Sequence, residues 1–371
     1  MAPFTEFLTV PEDNEDTLVE GSKLCMTADY NDYSAAQATG ASFLTTFLRR
    51  AAASVHANLP PGVPLEICEF GCSTGGSSIS PLQTIQEATT GRPLRATMND
   101  LPMNHWDVLK NTVEPVLPEI DFSYKPVSMY GPVADKEGTL HIAYSCYAQH
   151  WLRDGAPTGL PGGAMWASQL PRDDPNRRIW EQDSKQQWAD LLVQRAREMA
   201  TGGMMVFHIE SAKCCGNLSQ GFAETMMQAK SAMIKNGELS EEEALSMVVP
   251  EFSKTPADIL APLVNGPMMK LWAVEELQHQ RMPCPYLEEF EANDRANPEE
   301  ICEKLIGFAR AFTDTSLVEC VGEEKVESFW KHVQRIAANE PKKLSSDFTG
   351  TFIALRRSAV PVPLMRSSTC A

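Results

Sequence analysis

The sequence predicts a three-layer α/β domain with a helical cap over one end of its sheet. Short apolar runs alternate with helical stretches through most of the chain, and the first run breaks on a glycine turn that opens a helix. A third observation is the stretch from 211 to 265, which reads as helical pieces alone. Alternation of this kind builds a sheet covered on both faces, and a late block of helices has room only at the sheet's end.

The first strand is Leu65 to Phe70, an apolar run that stops at Gly71; a helix is expected after Gly76 and ends before Gly91. Arg95 to Asn99 reads as the second strand, and a helix from about Asn104 to Val113 follows, with Asn104 as its N-cap. Phe122 to Ser128 and Leu140 to Tyr144 are further strands. Gln182 to Ala200 is a long amphipathic helix closed by Thr201-Gly202-Gly203, after which Met204 to Ile209 is a buried strand. In the helical block, Ser240 and Glu243 have capping-box spacing. Strand signals return at Met268 to Val274 and Thr349 to Leu355, with helices near Pro298 to Phe312 and Glu323 to Ala338. The expected division is an N-terminal active-site segment (1–50), a cofactor-binding core (51–210), a mainly helical cap (211–312) interrupted by a core strand near 268–274, and the C-terminal part of the core (313–371).

With 371 residues, 43% of them hydrophobic, the chain buries a large core without staples. No apolar run is long enough to span a bilayer and the acidic first twenty residues lack a signal peptide's basic start, so neither a membrane nor export is expected. The ten cysteines form no pair of CxxC motifs; Cys214 and Cys215 are adjacent without a nearby His on their C-terminal side, and Cys370 is too close to the end for prenylation. Reduced thiols in a cytoplasmic protein with no metal site are the expectation. The formal charge of −17 argues against a nucleic-acid partner, because no broad positive field is available to neutralise phosphates.

Glu69-Phe70-Gly71-Cys72-Ser73-Thr74-Gly75-Gly76 lies between strand and helix, where an open α/β sheet binds its ligand. Ser73 stands where a dinucleotide fingerprint has its middle glycine. Taken alone, the turn is compatible with a purely structural role, a nicotinamide dinucleotide or S-adenosylmethionine. Asp100, closing the next strand, has a side chain suited to accept both hydrogen bonds of a ribose diol, or simply to cap a helix.

Four motifs in order carry a more specific resemblance. Phe70 to Gly75 looks like Leu-Gly-Cys-Ser-Ser-Gly, Met98 to Asn104 contains Asn-Asp-Leu-Pro, and Ser145 to Leu152 is similar to Ser-Ser-Tyr-Ser-Leu-His-Trp-Leu. Tyr30, Ser34 and Gln37 reproduce the spacing of Tyr-Ala-x-Asn-Ser-x-x-Gln. Val127 to Gly131 and Arg195 to Val206 add weaker matches. Together these resemble the SABATH methyltransferases, which use S-adenosylmethionine to methylate small acids and purine alkaloids. The resemblance implies a Rossmann-like seven-stranded methyltransferase sheet with an α-helical cap, and often a homodimer.

The resemblance also implies residue roles. Ser34, Glu69, Gly71, Asp100, Leu101, Ser128 and Met129 would line the cofactor pocket, with Asp100 on the ribose, Leu101 and Met129 about the adenine, and Glu69, where the family usually has Asp, meeting the cationic amino end. Gln37 and Trp151 match positions that hold the acceptor's carboxylate through side-chain N–H donors. Tyr147 would touch the acceptor and His150 would donate a hydrogen bond or shape the pocket; Gln149, in place of an apolar residue, implies an extra polar group on the acceptor. Phe252, Trp272, Phe308 and Phe312 are either pocket lining or core. A carboxylate is already ionised at neutral pH, so methyl ester formation needs alignment more than acid–base chemistry. The alternatives are an N- or S-methyltransferase, where His150 or a tyrosine would take a proton, and a catalytically silent S-adenosylmethionine-binding protein.

Overall fold

Five parallel strands, each followed by a crossover, form the sheet's first part. In chain order they are β1 (Leu65–Phe70), β2 (Leu94–Asp100), β3 (Ile120–Pro126), β4 (Leu140–Cys146) and β5 (Met199–Glu210), as seen in a computed structural model that describes residues 25–212, 220–345 and 348–360. Two more strands, β6 (Trp272–Met282) and β7 (Phe348–Arg357), complete a seven-stranded sheet of order β3-β2-β1-β4-β5-β7-β6. β7 runs antiparallel to both its neighbours. The order reverses between β1 and β4, which is where such sheets open a ligand crevice.

The helices are α1 (Tyr30–Tyr33), α2 (Ala35–Asn58), α3 (Ile79–Ala88), α4 (Trp106–Val113), α5 (Pro175–Glu198), α6 (Gln220–Lys235), α7 (Glu241–Ser246), α8 (Pro256–Val264), α9 (Pro285–Ala292), α10 (Pro298–Val321) and α11 (Glu323–Ala337). Period-two alternation on the strands divides the sheet's two faces. Ile67, Ile142, Val206 and Phe352 pack with Leu44, Leu48, Leu82 and Leu109 of α2, α3 and α4, whereas Cys68, Ala143, Phe207 and Ile353 pack with Trp188, Leu191 and Ile259 of α5 and α8. A third cluster, including Met226, Leu305, Phe308, Phe329 and Trp330, is the helical cap of α6, α7, α9, α10 and α11.

Most expected elements are present, and the differences have physical causes. α4 begins at Trp106 after His105, because Asn104 is used elsewhere: its Nδ2 donates to the Ser73 carbonyl at 2.8 Å instead of capping the helix. α5 starts earlier, capped by Asp174, whose carboxylate accepts from the Asn176 and Arg177 N–H groups, and it ends at Glu198. Thr201-Gly202-Gly203 therefore does not close the helix; it lies within β5, where the pairing with β4 shifts register between Leu140 and Ile142. The strand expected at 268–274 is displaced, since Pro267–Lys270 forms a 3-10 turn and β6 continues to Met282. The capping box of Ser240 and Glu243 forms at the start of α7.

Two expected domain boundaries fall inside helices. α2 crosses position 50 and packs against the sheet, and α10 crosses position 312. Leu317 of α10 and Val326, Phe329 and Val333 of α11 belong to the cap cluster, so the cap extends to the end of α11 and the core resumes at β7. Among the described residues no helix is long and apolar enough to cross a membrane. Among the described residues the cysteines, from Cys25 to Cys320, form no disulfide with one another; Cys214, Cys215 and Cys370 lie outside the described residues, as does the acidic N-terminal stretch.

Candidate active site

All five parallel strands deliver a residue to one cavity at their carboxyl ends: Gly71 after β1, Asp100 ending β2, Ser128 after β3, Tyr147 after β4 and Glu210 ending β5. Its first end is built by the glycine turn. Gly71 has φ of 75°, and a Cβ there would stand 2.4 Å from the Ala148 Cβ, so the turn needs glycine twice over. The N–H groups of Gly71 and Cys72 both donate to the Asn99 carbonyl, at 2.8 and 3.2 Å. Asp100 ties the two loops together: Oδ2 accepts from the Ser73 N–H at 2.6 Å and Oδ1 from the Leu101 N–H at 2.8 Å. Burial raises the Asp100 carboxyl, and these two N–H donors oppose the rise.

Leu101, Ser128 and Met129 line this end, beside Ser73 and Asn99. Ser73 Oγ and Asn99 Oδ1 are buried without a protein partner, which leaves one hydroxyl and one acceptor for a polar ligand. The loop carrying Ser128 and Met129 is anchored from below. Fully buried Arg195 donates to the Gly131 carbonyl at 2.6 Å and pairs with Glu198 at 3.1 Å, while Glu198 accepts from the Val133 N–H at 2.6 Å.

Three expected residues do not line the cavity. Glu69 is buried on β1 and accepts from the Tyr144 hydroxyl at 2.8 Å; burial pushes its carboxyl up to about 7 against that hydrogen bond. Ser34 is buried and donates to the Asn31 carbonyl at 3.3 Å. The Gln149 side chain is buried behind Met129, its Nε2 3.5 Å from the sulfur, so it does not present a polar group to an acceptor. Cys72 is a buried packing residue whose thiol is held well above its ordinary value by burial.

The second end holds Gln37, Tyr147, His150 and Trp151. Gln37 comes from α2, which approaches closely because Gly40, one turn on, has no side chain: a Cβ there would meet Tyr147 Cε2 at 2.3 Å and His208 Cε1 at 2.5 Å. Gln37 Oε1 has no hydrogen-bond partner, and among the described residues the Trp151 indole N–H donates to none. His150 and Trp151 are held by pairing with the segment before α8: the Leu152 N–H donates to the Pro250 carbonyl at 3.0 Å and the Phe252 N–H to the His150 carbonyl at 2.9 Å. Burial lowers His150 to about 3, with the buried Lys254 ammonium adding to the effect, so its ring is neutral. The 3.4 Å approach of His150 Nε2 to Glu251 is accordingly not an ion pair.

Phe308 and Phe312 line this end, with Trp166 and Phe222 completing an aromatic wall; Phe222 and Phe312 ring centres are 6.1 Å apart. Phe252 lies in a separate small cluster and Trp272 in the sheet core, its indole N–H on the Leu192 carbonyl at 3.0 Å. Two acidic residues that sequence reasoning missed, Glu210 and Glu251, also face the cavity. Burial pushes Glu210 up to about 8 and Glu251 well above the carboxylate range, the latter further raised by Glu210. Burial thus disfavours the ionised form of both carboxyl groups on this wall. Glu210 ends a run of β5 that is buried from Gly203 onward, which signals burial at position 210, but nothing in the spacing signals that it faces a ligand.

Comparison with known proteins agrees with this architecture. Residues 23–358 match the family described as SAM dependent carboxyl methyltransferase. The chain is 27% identical over 271 residues to O-methyltransferase acrG of Aspergillus aculeatus, covering 70% of this chain and 71% of that protein. It is 24% identical over 249 residues to loganic acid O-methyltransferase of Catharanthus roseus, covering 61% and 65% of the two chains. Among solved structures, loganic acid methyltransferase with SAH superposes with a TM-score of 0.74 at 17% identity, over 90% of this chain and 98% of that one, which shows a shared fold. The chain belongs to the SAM-dependent carboxyl methyltransferases, the SABATH group, and is an enzyme that transfers a methyl group from S-adenosylmethionine to a small-molecule acceptor.

Proposed function

We propose that the acceptor is a small carboxylic acid and the product its methyl ester. One observation carries the reading: the Gln37 amide and the Trp151 indole both line the cavity's second end, and neither side chain is engaged by a protein partner. An amide and an indole N–H lining the same cavity can together hold one carboxylate oxygen and leave the other free to attack. Burial disfavours the ionised form of Glu210 and Glu251, which lessens their repulsion of an anionic acceptor. The names of similar proteins, among them gibberellic acid methyltransferase 2 and loganic acid O-methyltransferase, point the same way.

S-adenosylmethionine supplies a methyl group on a sulfonium, ready for transfer. In this reading Asp100 accepts from the ribose diol with the lone pairs its two N–H donors leave, and Leu101 and Met129 pack against the adenine. A carboxylate has no proton to lose, so His150 positions rather than deprotonates. N- or S-methylation would need a base near neutrality, and a ring held at about 3 is a poor one.

The reading is tested by incubating the protein with methyl-labelled S-adenosylmethionine and a panel of small acids. Label in base-labile esters is expected. Base-stable label would move the acceptor atom to nitrogen or sulfur, and no transfer to any of a metabolite extract would leave a silent binding protein. A cytoplasmic homodimer is the accompanying expectation, checked by light scattering and by fluorescent tagging.

A further inference from the structure

We propose that His150, Glu210 and Glu251 form a binding site for one divalent transition-metal ion, such as Zn²⁺ or Mn²⁺, at the acceptor end of the cavity. Each residue offers one ligand atom, and the three atoms lie within 4.8 Å of one another. All three residues are at least nine-tenths buried, yet all three line the cavity. They come from separate parts of the fold, and each backbone is fixed. His150 is paired to Phe252, Glu251 bridges Trp151, and Glu210 pairs with Gly350 of β7.

The protein supplies no cation of its own to this pair of carboxyl groups. Among the described residues, neither Glu210 nor Glu251 pairs with a lysine or arginine. Lys254 is the buried cation whose field reaches His150, and its ammonium is directed to the Gln149 carbonyl at 2.8 Å. Glu210 has a single long hydrogen bond, from Ser253 Oγ at 3.4 Å; Glu251 has the Trp166 indole beside it and its 3.4 Å approach to His150 Nε2. His150, 5% exposed, has no partner for Nδ1. Buried polar groups so poorly satisfied call for a ligand.

One imidazole nitrogen with two carboxylate oxygens is a donor set for zinc or manganese rather than for metals that demand thiolates. Tetrahedral ligands at about 2.0–2.2 Å from a metal stand roughly 3.4 Å apart, close to the separation His150 and Glu251 already have. The remaining contraction falls to Glu210, which one weak hydrogen bond holds. Three protein ligands leave a coordination position open to the cavity, where an acceptor oxygen or water fits. This inference does not depend on the acceptor being a carboxylate.

The experiment titrates chelator-treated full-length protein with Zn²⁺ by calorimetry and, separately, with Mn²⁺ followed by loss of the free ion's paramagnetic resonance signal. One equivalent of either ion is expected, and Glu210→Gln together with Glu251→Gln should weaken binding by about 100-fold or more. X-ray absorption of the zinc-loaded wild type gives a second reading that no variant's folding can spoil: nitrogen and oxygen neighbours only. Failure of both ions to bind stoichiometrically, equal binding by the double variant, or sulfur around the zinc would overturn the assignment. Saturable binding of methylammonium without metal uptake would also overturn it, making the site one for an organic cation.

Discussion

The two ends of the cavity are built by different means. At the proposed cofactor end the polar groups sit at neighbouring strand ends and are locked by hydrogen bonds to backbone: Asp100 on two N–H groups, Asn99 on the carbonyls of Lys125 and Val127, and Gly71 on Asn99. At the acceptor end, side chains arrive from α2, β5, α6, α10 and the 250–252 segment, and Gln37, His150 and Trp151 keep atoms unspent. Local backbone fixes the shape of a shared ligand's site, whereas long-range convergence of side chains leaves the other end free to vary. Substitutions at the two ends should therefore fail in different ways.

The largest effect is expected at the acceptor clamp. Gln37→Ala and Trp151→Phe should each lower kcat/KM for the acceptor on the order of 10²-fold through lost alignment, with affinity for the demethylated cofactor, read by calorimetry, unchanged. Normal turnover by Trp151→Phe would reduce the indole to a packing surface and remove the main support for a carboxylate. Asp100→Ala comes next and reverses the pattern. It should weaken both forms of the cofactor by about 2–3 kcal/mol while sparing acceptor KM, and it should also lower the thermal midpoint because the Ser73 and Leu101 N–H groups lose their acceptor. Unchanged cofactor affinity would make Asp100 a loop staple and nothing more.

The smallest expected effect is a pH dependence confined to the acceptor end. Glu210, raised from 4.5 to about 8, is neutral below that pH and ionises above it. In chelator-treated buffer, acceptor KM should rise a few-fold above pH 8 as the wall turns anionic, and Glu210→Gln should flatten the rise. A raised value in the folded state also means that Glu210's contribution to stability, full below about pH 4.5, declines as pH climbs toward 8. An identical KM profile in wild type and Glu210→Gln would assign the dependence to another group.

The same contrast explains what the sequence makes legible. The cofactor end is written in contiguous signals, a strand that stops at Gly71 and an Asp100 at the end of the next, because strand ends and turns are local events. Glu69 and Ser34 match the pattern but turn to Tyr144 and Asn31, since motif spacing does not specify which way a side chain is spent. Gln149 has the right neighbours and the wrong orientation for the same reason. Glu210 and Glu251, 41 residues apart by number, meet only through the pairing of β5, β7 and the 250–252 segment, which no local pattern encodes. β6 was obscured because it is an edge strand, largely exposed, and carries no apolar alternation for most of its length.

Ser73 adds one consequence. It adopts a φ of 47°, a conformation that glycine or asparagine takes more readily, and its buried Oγ faces the cavity with no protein partner. That disfavoured backbone is held by the Ser73 N–H on Asp100 and the Ser73 carbonyl on Asn104, which leaves the hydroxyl as the part of the residue the chain does not use. Ser73→Gly would thus relieve the backbone and delete that contact together, giving a protein that is sturdier alone and less responsive to its ligand. The turn thus trades backbone comfort for a hydroxyl placed at the cavity wall, a cost set by the chain and a benefit collected only through its ligand.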